Sequence, residues 1–138
     1  MKIIPVTCAL VFFDGKVLAT QRSEKMDLSG KWEFPGGKIE PYESPEECLK
    51  REIKEELSLE IEIFESLSPV LHHYSEKTIR LIPFAARWKA GQIHLSEHAQ
   101  YAWVEKKDLF SLNWAPADIP IVHELQEKWV KLVSPNPS

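Results

Sequence analysis

Cysteine is scarce: the 138 residues hold only two, Cys8 and Cys48. They form neither a zinc-ligand spacing nor a disulfide framework. Cys8 lies in an apolar run and Cys48 in a helical pattern, so both read as small core residues in a reducing compartment. Basic charge is not in excess either. Lys and Arg number 17 against 21 Asp and Glu, a net charge of −4, which argues against a surface that tracks nucleic-acid phosphates. No apolar run reaches the length of a membrane span. The run from Ile3 to Phe13 ends at Asp14-Gly15 without a small-residue cleavage site, and Lys16-Val17-Leu18-Ala19 continues beyond it. Asp-Gly between two apolar runs signals a hairpin, not a secretion signal. There is no internal repeat and no linker. The expectation is one cytoplasmic domain over 1–138, with 134–138 as a frayed tail and with neither nucleic acid nor membrane as partner.

What is present centres on one stretch. Gly36-Gly37 precedes a helix start in which Ser44 is a good N-cap, Pro45 suits the first helical position and Glu47 completes a capping box. Leu49, Ile53 and Leu57 recur every four residues, so one side of the helix faces a core. Glu52, Glu55 and Glu56 stand at i, i+3 and i+4, which gathers three carboxylates on the neighbouring face. Such a pattern is ordinarily a solvated surface, and Lys50 and Lys54 partly offset it. The context points elsewhere. Mg²⁺ is held by a few carboxylates together with substrate phosphates. A Gly-Gly turn lets backbone approach a ligand closely, and a helix N-terminus favours anions.

The remaining chain supplies strands and a second helical region. Residues 21–31 read as a surface loop. Leu59 to Phe64 alternates apolar and acidic residues, as an edge or half-buried strand does. Val70 to Tyr74 resumes after Pro69, Ile79 to Trp88 reads as a more buried strand, and Tyr101 to Val104 as a short one. Glu105 to Leu112 reads as a short helix. Pro116 to Val133 reads as a closing helix in which Val122, Leu125, Trp129 and Leu132 share a stripe. Strands around one central helix, closed by another, make an α/β class with a mixed sheet between helices.

Gly37, Glu43 and Arg51-Glu52-Ile53-Lys54-Glu55-Glu56 together resemble the signature of the Nudix hydrolases. The family's usual Gly near the helix end is Ser58 here, which touches a cap and no metal ligand. Trp32-Glu33-Phe34-Pro35-Gly36-Gly37-Lys38-Ile39-Glu40 and Arg22 are similar to the MutT branch. Ala115-Pro116-Ala117-Asp118-Ile119-Pro120 and Ser96-Glu97-His98 with Trp103 are similar to its CTP pyrophosphohydrolases.

This resemblance implies an α/β/α sandwich and a Mg²⁺-dependent enzyme, with Mn²⁺ as a substitute. Its partner would be a small nucleoside triphosphate, oxidised, modified or cytosine-type, cleaved to monophosphate and pyrophosphate. Either a monomer or a homodimer is compatible. Glu52, Glu55 and Glu56, the Gly36 carbonyl and Glu97 would be metal ligands. Arg51 would hold the carboxylates in register, and Glu43 would be structural. Glu52, Glu56 and Glu97 all stand as candidates for the general base. Taken alone, Glu97 reads more readily as a surface Glu, and the ligand reading rests on the resemblance of its surroundings.

Arg22 and Lys38 would neutralise phosphate oxygens, and Phe34 would stack on or line the base pocket. Asp118 carries two readings. An ionised Asp only accepts hydrogen bonds and suits the N4 amino group of cytosine, although guanine also offers donors. It is also a favoured N-cap. Rival readings are a hydrolase of nucleotide sugars or dinucleoside polyphosphates, a non-catalytic nucleotide sensor, and an adenine-glycosylase partner domain. The intact glutamate triad disfavours the last two.

Overall fold

The computed structural model describes residues 2–133; the expected frayed tail at 134–138 lies outside the described residues. Its frame is a long strand β1 (Ile3–Phe13) that turns at Asp14-Gly15 into β2 (Lys16–Gln21). Both turn residues take positive φ, 52° and 74°, the conformation that matches the twist of a two-residue hairpin. β1 also pairs in parallel with β7 (Thr78–Gly91), from Ile3 opposite Thr78 to Phe12 opposite Arg87. Parallel neighbours need a crossover, and helix α1 (Pro45–Leu57) lies on it.

The principal strand order is β3-β2-β1-β7-β5, with β3 at Trp32–Glu33 and β5 at Leu59–Ser66. β4 (Gly36–Lys38) pairs with β1, β6 (Val70–His73) with β7, and β8 (Gln100–Val104) with β2. β1 reads as an unbroken apolar run because both faces of the sheet are covered. Ala9 and Val11 join α1's Leu49, Ile53 and Leu57 in one core. Cys8, Leu10 and Phe12 face the other core, with Val122, Leu125, Trp129 and Leu132. The architecture is the expected α/β/α sandwich, and both cysteines are buried and free.

Ser44 accepts from the Glu47 amide and Glu47 answers to the Ser44 amide, closing the capping box. Ser58 takes the left-handed cap at φ 61° that glycine would hold more cheaply.

Two expectations are corrected and a third is made specific. Gly36-Gly37 is not a turn but a strand on β1, with Gly36 opposite Cys8 and Gly37 opposite Thr7. The short helix expected over 105–112 is present, as a 3-10 helix at Lys106–Ser111. The closing helix is three pieces: a 3-10 turn at Pro116–Asp118, α2 (Ile119–Glu127) and α3 (Trp129–Val133). Pro120 lacks the amide that would carry the first turn into α2, and α2 ends at Lys128, whose φ −101° and ψ 14° leave the helix.

Candidate active site

Helix α1 delivers its carboxylates in different directions. Arg51 grips Glu43 with two bonds, Nε to Oε2 at 3.0 Å and Nη2 to Oε1 at 2.6 Å. Its Nη1 reaches Glu52 Oε2 at 3.1 Å and Glu55 Oε1 at 3.2 Å. This bidentate grip holds Glu43 well below the usual carboxylate range, at about 2. Glu55 points outward, its side chain 59% exposed, while Glu52 points inward at 17%. Glu52 and Glu55 thus share one Arg51 nitrogen while lying at different depths, Glu52 toward the sheet and Glu55 toward solvent.

Glu56 is the most constrained of the set. One of its oxygens, Oε1, is buried with no hydrogen-bond partner. Burial pushes its carboxyl up to about 8, and the carboxylates of Glu52, Glu33 and Glu97 add to the effect. Glu97 comes from an exposed loop stitched to α1 by the Ser96 amide on the Glu56 carbonyl (3.1 Å) and the His94 amide on the Leu57 carbonyl (2.9 Å). Gly37 packs directly under Glu52, where a Cβ would stand 2.5 Å from Oε1.

These features fit a divalent cation. An orphaned carboxylate oxygen among like charges lacks only a positive partner, and hard cations prefer oxygen donors. Among the described residues, no three acidic, His or Cys side chains close into a ready-made cage. That suits Mg²⁺, which keeps waters and takes substrate phosphates as ligands.

A cleft of about 540 Å³ is bounded by Arg22, Glu33, Tyr74, Lys77, Ala117 and Asp118 among others, and Glu33, whose charge acts on Glu56, links it to the carboxylates. Asp118 is 5% exposed, and its Oδ2 accepts from the Phe34 amide at 2.9 Å. Its side chain makes no cap bond to α2, so the N-cap reading gives way to a carboxylate facing the cleft. Burial pushes Asp118 up to about 8, with the Phe34 amide opposing the shift. Burial and the Asp118 charge raise the Tyr74 hydroxyl as well.

Arg22 lines the cleft, held by Glu33 Oε1 at 2.8 Å and by the Asp27 carbonyl. The Phe34 ring is 3% exposed and lies against Trp114 with centroids 4.8 Å apart. It belongs to the core and not to the expected base stack; its amide, not its ring, serves the cleft. Lys38 is exposed on β4 and is not among the described cleft-lining residues.

Two residues escaped the sequence reading. Glu33 joins Arg22 to His98, whose Nε2 lies 2.8 Å from Glu33 Oε2. The available signal was a lone charge inside the apolar Trp32-Glu33-Phe34-Pro35.

The sequence profile of the NUDIX domain matches residues 2–125. The CTP pyrophosphohydrolase of Escherichia coli K12 is 36% identical over 122 residues, covering 88% of this chain and 90% of that protein. An 8-oxo-dGTP diphosphatase of Buchnera aphidicola is 33% identical, with 92% and 96% covered. The solution structure of the MutT protein of methicillin-resistant Staphylococcus aureus 252 superposes with a TM-score of 0.76 at 39% identity, over 93% of this chain and 99% of that one. No described helix is long and apolar enough to cross a membrane.

Proposed function

The chain belongs to the Nudix family and is a MutT-like hydrolase in sequence and fold, and on that premise we propose that residues 1–138 act as one domain hydrolysing a nucleoside triphosphate to the monophosphate and pyrophosphate. The base is oxidised, modified or cytosine-type; a CTP and an oxidised dGTP are what the two relatives above are named for. The observation that carries this reading is the unpartnered Glu56 oxygen, coupled by charge to Glu33 on the wall of a cleft of about 540 Å³.

Glu52, Glu56 and Glu97 with the Gly36 carbonyl would hold Mg²⁺, and Glu55 would join from the outer side. The ion, once bound, supplies Lewis-acid polarisation and a more acidic water. The chain's own work is positioning and charge. Arg51 fixes Glu52 and Glu55 through the anchor at Glu43. Glu56, once ionised, would offer a carboxylate able to take a proton from water. Lys38, exposed beside the glycine strand, would meet phosphate oxygens. Arg22 and Asp118 would face the nucleoside.

The test is a panel of normal, methylated and oxidised triphosphates with Mg²⁺, scored for pyrophosphate against orthophosphate. Pyrophosphate release that EDTA abolishes is expected. Orthophosphate release from a triphosphate, or full activity in EDTA, overturns the reading.

A further inference from the structure

The loop bearing Glu97 is anchored by a side chain that none of these roles uses. The His98 side chain is 2% exposed. Its Nε2 meets Glu33 Oε2 at 2.8 Å, while its Nδ1 is buried with no hydrogen-bond partner. An apolar residue would fill that space without stranding a ring nitrogen, and stranded polar groups are costly to keep. The ring's position supplies a reason. Glu33 uses its second oxygen, Oε1, to hold Arg22 at 2.8 Å, and both residues line the cleft. In the other direction, His98 directly follows Glu97, whose charge acts on Glu56. The Ser96 amide on the Glu56 carbonyl and the Ala99 amide on the Gln21 carbonyl, 2.9 Å, fix the path of this loop. Among the described residues, the imidazole is the side chain whose hydrogen bond ties it to β3.

We propose that His98 is a positioning residue that holds the cleft and the carboxylate patch in one register, through the chain Arg22–Glu33–His98 and the peptide to Glu97. One side chain thus sets both the donor geometry offered to a nucleoside and the reach of Glu97 toward a cation. This rests on the proposed function for what the two ends bind, but the contact chain itself does not depend on the substrate.

The experiment compares the protein with His98→Ala, His98→Asn and His98→Gln. Mn²⁺ affinity is read by electron paramagnetic resonance on metal-free protein without nucleotide. Discrimination is read as the ratio of kcat/KM between the best and second-best triphosphate. Loss of a partner that orients a metal ligand weakens binding on the order of tenfold, and that loss is expected for His98→Ala, together with a narrower base ratio. Gln carries an amide donor that reaches Glu33 and should restore most of both. Asn, one methylene shorter, should not, and it keeps the comparison open if the Ala variant fails to fold.

If Ala and Asn merely lower Tm while Mn²⁺ affinity and the base ratio stay unchanged, His98 is packing and the inference falls. If the protein turns over no triphosphate, the proposed function fails, yet the Mn²⁺ measurement still decides. Loss in Ala and Asn with recovery in Gln sustains the positioning role, and equal affinity in all four proteins refutes it.

Discussion

Gly37 and the Glu52 carboxylate share one small volume: a Cβ on the glycine would stand 2.5 Å from Glu52 Oε1. The neighbouring glycine is crowded differently, since a Cβ on Gly36 would lie 2.7 Å from the Cα of Cys8, on β1. A carboxylate at the end of a flexible side chain can move aside, whereas paired strand backbone cannot. Gly37→Ala should therefore fold with nearly normal Tm but lose activity and cation affinity as Glu52 is displaced. Gly36→Ala should lose stability first, through the β1–β4 pairing. Calorimetry beside kcat on the two variants checks this. Equal phenotypes would show that the close approach at Gly37 has no bearing on Glu52's role.

Glu56 gives a pH signature. The folded chain holds its proton up to about 8, against 4.5 for the ordinary carboxyl. A folded value raised in this way favours the folded state fully below about pH 4.5, and the benefit is lost as pH rises through about 8. Asp118, also raised to about 8, acts in the same direction. Metal-free protein should thus melt at lower temperature at pH 9 than at pH 6. Glu56→Gln should flatten part of that slope, and Mg²⁺ should restore Tm at the higher pH by replacing the proton. The same variant should lose roughly 10²-fold or more in kcat, the scale of losing transition-state charge stabilisation. A Glu56→Gln enzyme with normal kcat would remove Glu56 from the chemistry.

Arg51 tests the orientation of the carboxylates. Lys in its place keeps one positive charge but cannot reproduce the two-bond grip on Glu43 while reaching Glu52 and Glu55. Arg51→Lys should lower kcat with little change in KM for the nucleotide. A loss confined to KM would assign Arg51 to substrate binding instead.

The features legible in sequence were local. The capping box at Ser44 and Glu47, the left-handed Ser58 and the Asp14-Gly15 hairpin depend on residues within a few positions of one another. The site's wiring was not local. Glu33 meets His98 across 65 positions, and Asp118 meets the Phe34 amide across 84. Periodicity gave the carboxylates one helix face but not their depths, with Glu52 largely buried and Glu55 in solvent. The glycine pair was read as a turn because its strand partner on β1 lies some thirty residues back.

Asp118 separates base recognition from scaffolding. Oδ2 accepts from the Phe34 amide, and no side-chain bond caps α2. Asp118→Asn can keep an oxygen on the Phe34 amide and turn an NH₂ group toward the cleft, changing an acceptor into a donor with little change in volume. A mismatched buried polar group costs on the order of 1–3 kcal/mol, roughly tenfold to a hundredfold in discrimination. For a base that offers an N–H to Asp118, kcat/KM should fall more than for other bases, with the Mg²⁺ requirement unchanged. Its pH profile adds an independent arm. The ionised form accepts that N–H more strongly and presents no competing O–H, so kcat/KM for the preferred base should rise as pH climbs through about 8, and Asp118→Asn should abolish the rise. A uniform loss over all bases that follows a lower Tm would make Asp118 a fold residue, and the leaning toward an N–H-donating base would then be withdrawn.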